Sequence, residues 1–149
     1  MSPDFRDLLS AFNAHRVEYL VVGAHALAAY GHVRATGDLD VWVRPEGGNA
    51  RRVIEALREF GAPVQDLAVA DLCLAGTVFQ IGVAPIRIDV LTAIDGVTFE
   101  EAWPDRLVAR FVDLEVAVLS AAQLVRNKRT VGRTQDLADV EWLEKHGKR

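Results

Sequence analysis

Asp38 and Asp40 stand two residues apart at the head of an apolar, β-branched run, Asp38-Leu39-Asp40-Val41-Trp42-Val43. A strand turns successive side chains to opposite faces, so the two carboxylates point one way and Leu39, Val41 and Val43 the other. Two aspartates held side by side repel by about 4 kcal/mol at roughly 4 Å and an effective dielectric of about 20. A cation between them relieves that repulsion. The other reading of a bare Asp-x-Asp is a solvated turn in which one carboxylate caps the backbone. Asp89 bears on the choice. It interrupts a second apolar run, Ile86-Arg87-Ile88-Asp89-Val90-Leu91, where a carboxylate is costly unless paired or bound to a cation. Arg87, on the same face two residues earlier, is one partner. The alternative is a cluster of Asp38, Asp40 and Asp89, three carboxylates that suit Mg²⁺ held jointly with substrate phosphates.

Val22-Gly23-Ala24-His25 puts a glycine between a strand and a helix. A phosphate can approach the backbone there and meet the N–H groups of the helix start; the plainer reading is a tight turn. Neither G-x-x-x-x-G-K-S/T nor G-x-G-x-x-G occurs, so the turn is neither a P-loop nor a dinucleotide-binding fingerprint. Arg34 and Thr36 precede the aspartates in a loop, in reach of a triphosphate or a sugar. In the tail, the residues from Arg126 to Arg133 include four cations and no acid. Lys128, Arg129 and Arg133 are candidates to neutralise the same phosphates, or are ordinary cations at a helix end. His15, His25, His32 and His146 show no metal-ligand spacing, and His25 is a minor candidate for a ligand contact.

The elements that must position these groups follow from pattern. Ser2-Pro3 opens a helix to about residue 15, with Phe5, Leu8, Leu9 and Phe12 at helical spacing. A short β-rich run at 18–22 ends at Gly23, a helix follows over 24–30, and the strand at 39–43 comes next. Asn49 is the expected cap of a helix to Phe60, with Val53, Ile54, Leu57 and Phe60 inward. Residues 62–75 read as loop with a helical turn around 66–72. Residues 78–81 and 86–91 form a hairpin, and Thr98-Phe99-Glu100-Glu101 is a capping box. Residues 107–111 and 114–119 are extended. Ser120 and Gln123 form a second capping box for a helix to about Arg129, and Thr134 begins a last helix with Leu137, Val140 and Leu143 as its buried stripe. Trp42, Trp103 and Trp142 are expected in or near the core. The sum is an α/β (α+β) chain: a mixed sheet flanked by helices, with a C-terminal helical pair. Residues 1–149 are expected to form one domain, with its core at about 18–91 and a helical tail at about 120–146.

Composition narrows the classes. The chain has 149 residues, 50% of them apolar and 26% charged, a globular rather than disordered balance. The net charge of −4 argues against bulk electrostatic coating of nucleic acid. No apolar run approaches the roughly 20 residues of a membrane helix, and residues 1–6 lack the shape of a signal peptide. Cys73 is the only cysteine, which excludes a disulfide within the chain and a cysteine-based zinc site. A cytoplasmic location, away from membranes, is the expectation.

Gly23-Ala24 at a strand–helix turn, then Asp38-Leu39-Asp40, then Asp89 on a later strand resembles the pattern of the polymerase-β-type nucleotidyltransferase superfamily. The form Arg34-x-Thr36-x-Asp38-Leu39-Asp40 and the tail Asn127-Lys128, Gly132-Arg133 and Asp136-Leu137 are most similar to the small bacterial AbiEii and MNT-like members of toxin–antitoxin and phage-defence systems. The resemblance covers residues 18–91 and, more loosely, the tail. It implies metal-assisted transfer of a nucleoside monophosphate from an NTP to an acceptor hydroxyl, with release of pyrophosphate. The implied cofactor is Mg²⁺ or Mn²⁺. Asp38, Asp40 and Asp89 are the implied metal ligands and catalytic residues, with Asp89 a ligand or the base. Gly23, Ala24, Arg34, Thr36, Lys128 and Arg133 are the implied nucleotide contacts. RNA, a protein or a small molecule is the implied acceptor, and a toxin or antitoxin a further partner. Ala24 departs from the family, whose glycine is usually followed by glycine or serine, and so removes a hydroxyl from the turn while leaving the backbone N–H. Two other readings compete: a non-catalytic protein of the same fold that binds or neutralises a toxin, and a glycosyltransferase-like use of Asp-x-Asp with a nucleotide-sugar.

Overall fold

Apolar side chains at helical spacing make α1 (Pro3–Ala14), whose Phe5, Leu8, Leu9 and Phe12 are buried and whose N-terminus is capped by the Ser2 hydroxyl. The computed structural model describes residues 2–34, 37–83 and 85–147. The chain continues through β1 (Tyr19–Val22), α2 (Gly23–Ala29), β2 (Asp38–Val43) and α3 (Gly47–Phe60). A 3₁₀ turn at Asp71–Cys73 leads to β3 (Val78–Val83) and β4 (Ile86–Leu91). The capping box of Thr98 and Glu101 starts the single turn α4 (Phe99–Ala102). Then come β5 (Leu107–Phe111), β6 (Leu114–Val118), α5 (Ala121–Val131) and α6 (Thr134–His146).

The six strands form one mixed sheet in the order β3-β4-β2-β1-β6-β5. β2 runs antiparallel to β1 and parallel to β4, and β1 runs parallel to β6. β3 and β4 form a hairpin, and so do β5 and β6. The two runs expected only to be extended are therefore the far edge of the sheet. Leu39, Val41, Ile88 and Val90 line one face and are buried, in one core with Leu8, Leu9 and Phe12 of α1 and Val53 and Leu57 of α3. On the opposite face of β2, Trp42 is sealed by Phe99, whose ring lies 5.0 Å away edge-on. That face is thus closed at one end, leaving Asp40 and Asp38 toward the other.

Three local expectations are corrected. The N-cap of α3 is Glu46, whose carboxylate accepts from the N–H groups of Gly48 and Asn49. Asn49 is instead fully buried inside the helix, where its amide donates to the Glu18 and Arg44 carbonyls and accepts from the Glu18 N–H. A carboxylate suits the positive end of a helix, which frees Asn49 to tie α3 to the strand ends. Ser120 caps α5, but the Gln123 side chain accepts from the Ser120 hydroxyl and donates to Glu101 and Asp105, so the box does not close. In α6, Val140 and Leu143 are buried as expected, whereas Leu137 is 51% exposed and Asp136 and Asp139 take the inward positions.

Candidate active site

The parallel register of β2 and β4 sets Asp38 beside Arg87 and Asp40 beside Asp89. Because alternate residues share a face, these four side chains form a two-by-two block, backed on the other face by buried Leu39 and Ile88. Three corners are carboxylates and the fourth is a guanidinium. Arg87 donates from Nε and Nη2 to the two oxygens of Asp89, at 3.0 and 3.1 Å, and from Nη2 to Asp38 at 3.2 Å. The sequence had left Asp89 either as the partner of Arg87 or as part of a three-carboxylate cluster. The structure has it as the partner of Arg87, within a block that also contains the other two aspartates.

The block is rich in acid. Burial raises Asp40 from its ordinary 3.8 to about 6, and the charges of Asp89 and Asp38 push the same way against the weaker pull of Arg87. Among the described residues, one guanidinium, that of Arg87, bonds to carboxylates of this block. Three carboxylates are oxygen donors that fit Mg²⁺ or Mn²⁺ chemically. Among the described residues, however, no set of three acidic, histidine or cysteine side chains is arranged to hold a metal ion. The cation bonded to Asp38 and Asp89 among the described residues is Arg87.

Two glycines fit the block into the fold. Val22 pairs with Asp40 across β1 and β2, so the turn into α2 lies against the carboxylate. A Cβ on Gly23 would stand 2.4 Å from Asp40 Oδ2, and Gly23 has φ +67°; only glycine combines that backbone with that approach. The helix it opens has no side-chain cap from Val22, and its first turn carries the backbone N–H groups of Gly23 and Ala24. Gly37 lies against the β3–β4 hairpin: a Cβ there would be 1.1 Å from the Pro85 carbonyl oxygen, and its own carbonyl accepts from the Arg87 N–H at 2.8 Å. The strand bearing the aspartates is thereby tied to the one bearing Arg87 and Asp89. His25 packs edge-on against Phe5 at 5.3 Å between ring centres. Burial lowers its pKa, and a hydrogen bond to the Asp38 backbone opposes that shift.

The remaining candidates assemble elsewhere. Lys128 is 8% exposed and its Nζ lies 2.9 Å from Asp139 and 3.5 Å from Asp136. Arg34 binds the other oxygen of Asp139, with His32 3.8 Å from the same atom. Arg133 binds Asp136 at 2.7 Å and is otherwise mostly exposed. Burial alone would raise Asp139, but Arg34 and Lys128 hold it below its ordinary value; Arg133 lowers Asp136. Arg34, Lys128 and Arg133 thus share one ionic cluster that joins the loop before β2 to α5 and α6. Thr36 lies outside the described residues. Asp136 and Asp139 were not singled out as site groups from sequence. The signal was present: they fall at i and i+3 on the stripe that continues as Val140 and Leu143, directly after the basic run.

No family model matches the chain, and no curated protein matches it in sequence. Its fold matches solved structures over most of their length. TM1012 from Thermotoga maritima, a nucleotidyltransferase by assignment, is 14% identical, with a TM-score of 0.61 over 95% of this chain and 91% of that one. The lincosamide antibiotic adenylyltransferase LnuA, solved with lincomycin bound, is 13% identical, with a TM-score of 0.62 over 97% and 96%. The antibiotic-resistance factor ANT(2'')-Ia is 15% identical, with a TM-score of 0.62 over 93% and 79%. The chain has the fold these nucleotidyltransferases share.

Proposed function

We propose that the chain is a metal-dependent nucleotidyltransferase that moves a nucleoside monophosphate from an NTP to an acceptor hydroxyl and releases pyrophosphate. The observation that carries this reading is the block of Asp38, Asp40 and Asp89 on one sheet face, packed against Gly23 at the start of α2. Asp38, Asp40 and Asp89 would hold Mg²⁺ or Mn²⁺, which when bound stabilises charge on the phosphates and makes a hydroxyl a better nucleophile. Gly23 and Ala24 offer backbone N–H groups to phosphate oxygens. Ala24 supplies no hydroxyl, so this contact rests on the backbone alone. Asp89 either completes the ligand set or takes the proton of the attacking hydroxyl. Thr36 from the loop before β2 and Arg133 from the tail are the further nucleotide contacts in this reading; Arg34 and Lys128, candidates for the same role from sequence, are bonded to Asp139. Arg133, its side chain 75% exposed, has the most guanidinium surface open to an anion.

The acceptor in this reading is a small molecule before it is RNA or a protein. LnuA, solved with lincomycin bound, is matched over 96% of its chain, so this fold at this extent accommodates such a compound. The Arg34–Asp40 motif and the tail support a place beside the small AbiEii and MNT-like members, with a role in a toxin–antitoxin or phage-defence system. A second reading, a weakly active or inactive member that acts by binding a protein partner, draws on one observation: Arg87 lies where a cation is needed. The test is to titrate Mg²⁺ and each labelled NTP against the wild type, Asp38→Ala and Asp40→Ala. Nucleotide binding and transfer are expected in the wild type and lost in both variants. Transfer that survives both changes sinks the enzyme reading, and a stoichiometric protein partner with no Mg²⁺–NTP binding favours the second.

A further inference from the structure

Arg87 is more than a salt-bridge partner for Asp89. In the register of β2 and β4 it occupies the fourth corner of the carboxylate block, opposite Asp38 and next along its strand to Asp89. Its donors reach both oxygens of Asp89 and one of Asp38, two of the three groups proposed to hold a metal ion. It is fixed by its backbone as well, since its N–H donates to Gly37. Its side chain is 32% exposed, against 10% for Asp89, so the guanidinium can leave toward solvent while the carboxylate it leaves stays put. Arg87 bonds to Asp38 and Asp89, and among the described residues no set of three such side chains is arranged around an ion.

We propose that Arg87 is a resident counter-cation that competes with the divalent metal for Asp38 and Asp89, so that metal binding requires the guanidinium to let go. The inference rests on the reading of Asp38, Asp40 and Asp89 as metal ligands. Two physical effects act in the same direction. A guanidinium bonded bidentately to a carboxylate takes up acceptor positions that a metal would use. A fixed positive charge beside the site also disfavours the arrival of a second one. Without metal, the same arginine keeps three carboxylates from facing one another unopposed, which is why an acid-rich block persists in the fold. Once displaced, its charge stays at the edge of the site, available to an anionic substrate group.

The test is Mn²⁺ titration of the full chain without nucleotide, by calorimetry, for the wild type, Arg87→Gln, Arg87→Lys and Asp40→Asn. Arg87→Gln should bind Mn²⁺ on the order of tenfold more tightly than the wild type, equivalent to about 1.4 kcal/mol. Arg87→Lys, a point charge without the bidentate fork, should fall between them. If the glutamine variant folds poorly, the lysine variant carries the comparison. Melting supplies a second readout: in EDTA Arg87→Gln should melt below the wild type, and saturating Mn²⁺ should raise its Tm by more. A merely structural arginine would lower Tm equally with and without metal. On the unmodified protein, Mg²⁺ should shift the Arg87 Nε–H resonance toward its solvated value. Equal or weaker Mn²⁺ affinity in both Arg87 variants, with Asp40→Asn abolishing binding, overturns the competition and leaves the metal site standing. No binding by the wild type and both Arg87 variants alike overturns the site reading, and the competition with it.

Discussion

Two ionic clusters sit in this fold, and they are built on opposite principles. Around Asp139, two buried carboxylates meet Lys128, Arg34 and Arg133, so each negative charge has a cation within bonding distance and both aspartates are held below their ordinary pKa. Around Asp40, three carboxylates share one guanidinium and Asp40 is pushed up to about 6. Matched charges buried between helices make a joint. Carboxylates that outnumber the cations bonded to them among the described residues, on a half-open sheet face, make the place where the proposed metal ion would sit. The same residue types therefore serve two ends, and the balance of charge tells them apart.

The largest expected effect is in the matched cluster. Asp139→Asn leaves Lys128, 8% exposed, and Arg34 with one fewer carboxylate. Breaking a buried pair by removing one partner costs about 3–5 kcal/mol. Urea denaturation should show a loss of about 3 kcal/mol, toward the low end because Asp136 remains beside Lys128. A loss under about 1 kcal/mol would erase the distinction between the two clusters. Next in size is Gly23→Ala, which forces a Cβ to within 2.4 Å of Asp40 Oδ2 at a φ of +67°. Strain of this kind costs about 1–3 kcal/mol. Because the colliding atom is the end of a side chain, part of the strain is relieved by moving the carboxylate, so Mn²⁺ affinity should fall along with stability. Retained Mn²⁺ affinity would separate Gly23 from the site.

Legibility in the sequence followed the same division. Asp38, Asp40 and Asp89 could be placed on one face because strand alternation has a period of two and the apolar residues between them fix which face is buried. Parallel pairing of β2 with β4, and hence the facing of Asp40 and Asp89, depends on the long connection through α3 and β3, which no local pattern encodes. The hairpin of β5 and β6 read only as extended for the same reason: nothing in residues 107–119 says which strand they join. The tail misled in a different way. Leu137 scored as core because apolar residues at helical spacing normally face inward, but Lys128 and Arg34, from other elements, bring the carboxylate stripe of α6 inside. Charge pairing across elements overrode local hydrophobicity, and the partners of a carboxylate are not visible from its own helix.

Asp40→Asn sharpens the contrast by reversing the usual sign. An amide in place of the carboxylate removes repulsion from Asp38 and Asp89 and can donate to Asp89, so the metal-free protein should gain about 1 kcal/mol at pH 7, while Mn²⁺ binding is lost. The pH dependence follows from linkage. The folded pKa of about 6 lies above the ordinary 3.8, so the folded state holds the proton more tightly and its contribution to stability is lost as pH rises from about 4 to 6. Asp136 and Asp139, both lowered, act the other way: their stabilisation is present above the unfolded pKa near 3.8 and is lost as pH falls through their folded values. His25, lowered from 6.5 by burial, also gains stability for the fold as pH rises toward 6.5. Wild type minus variant isolates Asp40 from both. That difference should grow between pH 4 and 6 and level off above; a flat difference would mean that the block is already neutralised by Arg87.

The smallest effect tests the matched cluster from its outer side. Leu137 is 51% exposed, so replacement by Gln removes little buried apolar surface, and surface changes of this kind stay within about 0.5 kcal/mol. Val140, three residues on, is 6% exposed and lies on the inward stripe of α6 that also carries Leu143. Truncation of Val140 to Ala deletes two buried methyl groups and should cost about 1–2 kcal/mol, at roughly 0.8 kcal/mol per buried carbon. The two helix positions are both apolar, so hydrophobicity alone predicts similar losses for both. A larger loss at Leu137 than at Val140 would mean that α6 is rotated relative to the arrangement in which Asp136 and Asp139 meet Lys128. In that case the joint would not exist as described. Equilibrium denaturation of the two single variants, read against Asp139→Asn, decides it.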